Sequence, residues 1–151
     1  MKTVFFILSL LFSSTFVFGQ AYNMAIGIKG GYPGYGSINA KRFLNANNAL
    51  EANLGSGRYG FWIQGLYEWQ HNLPTPGMQW YVGVGPNIGL QSSALSNGST
   101  FYLSGSGLLG IEYTFENIPL NIALDLGPVI QLAPVFGFGW GGGAAARYVF
   151  K

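Results

Sequence analysis

His71 is the only histidine of the 151-residue chain, and it is the first residue to test for chemistry. As a general base it needs a nucleophile on one side and an orienting acid on the other. Ser92, Ser93 and Ser96 stand beyond the next long segment, so no nucleophile–base–acid constellation is expected. The chain has no cysteine, which removes thiolate nucleophiles, thiolate metal sites and disulfides. The run GVGPNIG from Gly83 to Gly89 is not a phosphate loop, because its glycines alternate along a strand pattern and no helix follows. No catalytic residue, cofactor or metal is expected. What remains are Lys29, Lys41, Glu51, Glu68, Glu112, Asp125 and Arg147, charges scattered through segments that are otherwise apolar or small. They suit either a proton or ion path or an ionic network that fills and neutralises an interior.

The elements that carry them alternate with a period of two. From Met78 to Gln91, Met78, Trp80, Val82, Val84, Pro86, Ile88 and Leu90 are apolar, whereas the residues between them are polar or small. That pattern is a strand with two unlike faces. The bulky face is the apolar one, which suits the broad outside of a barrel in an apolar medium. Seven further segments read alike: Tyr22 to Gly31, Ser37 to Phe43, Ala49 to Gly57, Gly60 to Gln70, Phe101 to Phe115, Leu120 to Leu132, and about Trp140 to Phe150. Eight antiparallel strands can close and leave no edge.

Charged residues make up 8% of the chain, against roughly 25% in soluble domains. Outside the first twenty positions no apolar run reaches the ~18–20 residues of a spanning helix. Residues 1–19 read as a secretory signal, with Lys2 as the positive region, Val4 to Phe18 as the apolar core and cleavage before Gln20; residues 20–151 form the barrel. Without the signal the net charge is near neutral, and no basic patch for nucleic acid exists. Both termini fall on one side, expected to be periplasmic. Outward aromatics sort into two levels. The inner level is Tyr22, Tyr67, Trp69, Trp80, Tyr113, Phe115, Tyr148 and Phe150; the outer level is Phe61, Phe101, Phe136, Phe138 and Trp140.

By the same parity the seven charges named above point inward, while Arg42 and Arg58 point outward at strand ends. Lys41 and Glu51 are symmetric about Ala46 and should stand opposite each other. Asp125 and Arg147 are symmetric about Phe136. Eight strands leave an interior just wide enough for side chains, which favours structural filling over conduction. Pro86 and Pro128 each follow a glycine well inside a strand, where proline is disfavoured. They mark either a lateral seam that admits a lipid or small apolar ligand, or bulges that set curvature.

The signal, the eight segments and the terminal strand GAAARYVF ending at Phe150 resemble the small outer-membrane β-barrel family, of the OmpA-transmembrane-domain and OmpX type. The resemblance covers the whole mature length. It implies that Tyr148 and Phe150 form the C-terminal signal read by the barrel assembly machinery. Ala145 stands where that family often has glycine, and Lys151 follows the phenylalanine. The expected molecule is a monomeric, all-β, eight-stranded up-and-down barrel in the outer membrane, a structural or surface component with a filled interior. Its partners are membrane lipids and, during biogenesis, periplasmic chaperones and the assembly machinery. The alternatives are a narrow pore or lateral passage of a lipid or small apolar ligand, and a soluble exported lipocalin-like carrier.

Overall fold

The computed structural model describes residues 22–57, 60–92 and 99–150. The signal segment 1–19, Arg58, most of the 92–100 connection and Lys151 lie outside the described residues or their described side chains. The chain folds into eight antiparallel strands: β1 Met24–Gly31, β2 Gly34–Asn45, β3 Asn48–Gly57, β4 Gly60–Asn72, β5 Met78–Ser92, β6 Ser99–Thr114, β7 Leu120–Ala133 and β8 Gly137–Phe150. Each pairs with its sequence neighbours, and β1 pairs with β8, so the sheet closes in up-and-down order as the period of two requires.

Alternation decides which side chains the closed sheet encloses. Along β7, Asn121, Ala123, Asp125, Gly127 and Val129 are buried, whereas Ile122, Leu124, Leu126, Pro128 and Ile130 are exposed. The two ends differ. The near end holds β1's start, β8's end and three turns. There Tyr22, Ala25, Phe43, Ala49 and Val149 pack into an apolar cluster. The far end carries the other four connections.

Three sequence expectations change. Tyr22 is not an outward rim aromatic: it is 3% exposed and edge-on to Phe43, with ring centroids 5.0 Å apart. The strand begins only at Met24. Asn23 bends the chain, its carbonyl accepting from Phe43 N–H at 3.0 Å, so Tyr22 turns in beneath the sheet. β2 extends past the expected Ser37–Phe43 at both ends, because the Gly34-Tyr35-Gly36 approach carries no alternation to read. β8 begins at Gly137 rather than Trp140, so Asp125 stands opposite Gly143 and Arg147 opposite Asn121. The expected Asp125–Arg147 opposition fails because the turn is tighter than one centred on Phe136. Lys41 does stand opposite Glu51.

Pro86 and Pro128 interrupt pairing in the same way. The β4–β5 ladder breaks where Gly65-Leu66 faces Gly85-Pro86, and the β6–β7 ladder breaks where Gly107-Leu108 faces Gly127-Pro128. Proline offers no N–H to the facing carbonyl. A Cβ built on Gly85 would lie 1.8 Å from Gly65 O, and one on Gly127 would lie 1.9 Å from Gly107 O. The hydrogen in each such position therefore points at the carbonyl that proline leaves without a donor, a Cα–H···O contact. Leu66 and Leu108 fill the inner side of each break.

This close approach makes a prediction. Gly85→Ala and Gly127→Ala should each lower stability by about 1–3 kcal/mol through overpacking. Gly105→Ala, whose Cβ would meet nothing within 4 Å, should stay within about 0.5 kcal/mol of the parent. Equilibrium urea unfolding of the reconstituted barrel compares the three.

Candidate functional site

Each strand other than β5 sends one charged side chain inward, and the seven meet in a single chain of alternating sign. Asp125 of β7 holds Lys29 of β1, Oδ2 to Nζ 2.6 Å. Lys29 reaches Glu51 of β3 at 2.9 Å. Glu51 receives Nη2 of Arg147 of β8 at 2.5 Å. The other arm of Arg147 stands 3.6 Å from Glu112 of β6. Glu112 binds Lys41 of β2 at 2.5 Å, and Lys41 ends on Glu68 of β4 at 2.7 Å. Asp125 is 8% exposed and the other six less. The missing strand supplies Tyr81, whose hydroxyl donates to Asp125 Oδ2 at 2.9 Å and whose ring lies 4.5 Å from the Lys41 ammonium.

Each cation thus lies between two carboxylates. Buried ions are tolerated only when paired and hydrogen-bonded; amides add to this set, and Glu68 Oε1 and Asp125 Oδ1 are left without a hydrogen-bond partner. Asn121 accepts from Arg147 Nη1 at 2.9 Å, and Asn39 accepts from its Nε. Asn53 donates to Glu51 at 2.9 Å and Gln70 to Glu68 at 2.7 Å. Tyr22 donates to Glu112 Oε1 at 3.2 Å. Lys41 and Glu51, although opposite in register, do not pair with each other; each turns to partners across the barrel.

Sequence reasoning passed over three kinds of contributor. The amides Asn39, Asn53, Gln70 and Asn121 share the parity of the charges, which was the signal available. Tyr22 precedes its strand, so the parity that placed it outward did not apply. Tyr32 sits in the β1–β2 turn and reaches inward, sharing hydrogen bonds with the Tyr102 hydroxyl and, at 3.0 Å, with Ser104 Oγ. Burial, with the Tyr102 phenol beside it, raises the Tyr32 phenol above its ordinary pKa. Asn87 joins this far-end group by donating to Ser104 at 2.9 Å and Ser106 at 2.6 Å. The far-end group carries no charge.

His71 stacks on Trp80, its partner in register, with ring centroids 4.3 Å apart and planes at 17°. Both belong to the near end, and Ser92 closes the opposite end of β5. Tyr148 and Phe150 are exposed at the near end and edge-on to each other at 5.0 Å. Pro86 and Pro128 are exposed on the outside of the wall. Among the described residues no group of three or more His, Cys, Asp or Glu could hold a metal ion. Comparison with known protein families, characterised proteins and solved structures finds no match.

The alternating chain predicts unequal substitution costs. Arg147→Met leaves Glu51 and Glu112 each one cation short and should cost about 3–5 kcal/mol. Arg42→Met, half-exposed on β2 and outside this chain, should cost under about 1 kcal/mol. Urea unfolding measures both.

Proposed function

We propose that this chain is an integral outer-membrane β-barrel, a monomeric structural or surface component whose interior is filled and does not conduct. One observation carries the reading: the polarity of the molecule is inverted. Seven of its charges lie inside, and its exposed wall is aliphatic, with Ile26, Ile38, Leu50, Val84, Leu124 and Ile122 among the outward residues. Leu124 is 61% exposed, and so large an apolar exterior suits lipid rather than water. Aromatic pairs border this band at the near end, Tyr67 with Trp69 and Tyr113 with Phe115, as interfacial girdles do.

Three stacked layers support the reading of a filled interior. The apolar cluster of Tyr22, Phe43 and Val149 closes the near end. The alternating charges lie above it, tied strand to strand. Tyr32 and Tyr102 lie across the far end. The export signal expected from the sequence and the terminal Tyr148 and Phe150 support delivery by periplasmic chaperones and insertion by the assembly machinery, with membrane lipids as the lasting partner.

A second reading, lateral passage of an apolar molecule past Pro86 and Pro128, draws on the two interrupted ladders. Hydrogen exchange on β4 to β7 separates the two. Protection around both prolines equal to that of the mid-strand amides of β7 would leave no seam.

Two measurements test the membrane reading. Leu124→Arg places a cation on the mid-wall and should destabilise the inserted barrel by about 2–4 kcal/mol. The parent should stay with membranes through carbonate extraction and give no conductance steps in planar bilayers. Release by carbonate would instead fit a soluble carrier.

A further inference from the structure

β8 outruns β1. Residues Gly137 to Gly141 pair with β7, from Gln131↔Gly137 to Gly127↔Gly141, whereas β1 ends at Gly31 opposite Gly143. Along that stretch the side of β8 facing β1 has no strand partner among the described residues. Tyr32 N–H closes only the corner, donating to Gly142 O at 2.9 Å. There is room behind the edge. A Cβ built on Gly139, which shares the inward parity of Gly141 and Arg147, would meet nothing within 4 Å; one on Gly137 would meet only Gln131 Cβ at 3.9 Å.

Across the interior, on β4 and β5, three buried polar atoms have no hydrogen-bond partner: Trp62 Nε1, Gln64 Nε2 and Asn87 Oδ1. Gln64 and Asn87 stand opposite each other, so two donors and one acceptor occupy adjacent positions on β4 and β5. A hydroxyl group can accept and donate at once. An ionic head would find no counter-charge, since every buried cation and carboxylate is engaged deeper in the barrel.

Outside the open edge the surface is apolar up to the hairpin tip. Val135 is 71% exposed and Phe136 75%, with Phe138 and Trp140 below them and Tyr35, 79% exposed, on the adjoining turn. The β5–β6 connection reads QSSALSNGST and is polar by contrast. Among the described residues the apolar exterior rises past the open edge on the β8–β1–β2 side.

We propose that the gap between β8 and the β1–β2 turn is a lateral binding site for an amphiphile of the outer leaflet with an uncharged, hydroxyl- or amide-bearing head. Its chain lies on Phe136, Phe138 and Trp140, and its head enters between Gly139 and Tyr32 toward Trp62, Gln64 and Asn87. The proposal rests on the membrane reading and moves the lateral opening away from the two prolines.

Nuclear magnetic resonance of the full barrel in phosphatidylcholine nanodiscs tests it, with a monoacylglycerol as probe. The Trp62 indole N–H and the Gly139 amide should shift saturably. Gly139→Phe, placed where there is space, should keep a folded spectrum and lose both shifts, and Gly137→Phe provides a second variant. Absence of a saturable shift in the parent, or the same shift in both variants, overturns the site. An equal response to a fatty-acid anion overturns the uncharged-head assignment. Contact of the Leu124 methyls with dissolved oxygen but not with a water-soluble nickel chelate reports membrane insertion separately. Nickel contact there would overturn the membrane reading itself.

Discussion

The alternating chain Asp125–Lys29–Glu51–Arg147–Glu112–Lys41–Glu68 is the constraint on which the rest of the barrel depends. Seven strands each place one ion in it, and Tyr81 brings in the eighth. An ion this deeply buried is costly when alone and tolerable between two opposite charges. All the strands must therefore hold one register together. A slip of one residue in any strand would turn its ion to the wall and its leucine or isoleucine inward. Partners are also exchanged: Lys41 and Glu51, neighbours on one hairpin, bind across the interior instead. The network thus ties distant strands rather than reinforcing hairpins that the backbone ladder already holds.

Side chains of this length fit only because the positions they cross are empty. A Cβ on Gly110 would lie 2.2 Å from Tyr81 Cζ, and one on Gly55 would lie 2.5 Å from Trp62. Gly143 leaves space for the Lys29 stem, and Gly141 for the ring of Tyr32. The small inward face seen in the sequence supplies sockets for a few long residues contributed by other strands. Eight strands enclose too little width for two large side chains at one level, so each knob requires its glycine.

The fold was legible because one variable, parity, determines most of it. Period two assigned faces, strand number and closure, and placed all seven ions inside without any knowledge of neighbours. Hairpin symmetry gave the Lys41–Glu51 opposition because that turn is short and its centre unambiguous. It misplaced Asp125 and Arg147, where Pro134 to Phe136 left the turn's length open. Parity also fails outside a strand, which is why Tyr22 was placed outward and Tyr32 escaped. Which ions pair was illegible for a different reason. Alternation reports the face on which a residue lies, whereas pairing depends on side-chain reach across the barrel.

Backbone accounting separates the prolines from the open edge of β8. At Gly85-Pro86 and Gly127-Pro128 a donor is missing, but a glycine hydrogen covers each facing carbonyl and a leucine closes the inner side. Each facing carbonyl thus keeps a contact, so an interrupted ladder need not be a weak wall. From Gly137 to Gly141 no such substitute is present: β1 has ended, the inward positions are glycine, and the flanking surface is aromatic. A gap in a barrel wall is better recognised by uncompensated backbone groups than by proline. By that criterion the irregularity most visible in the sequence is the compensated one, and the unpaired stretch is the glycine run, where alternation gives no warning.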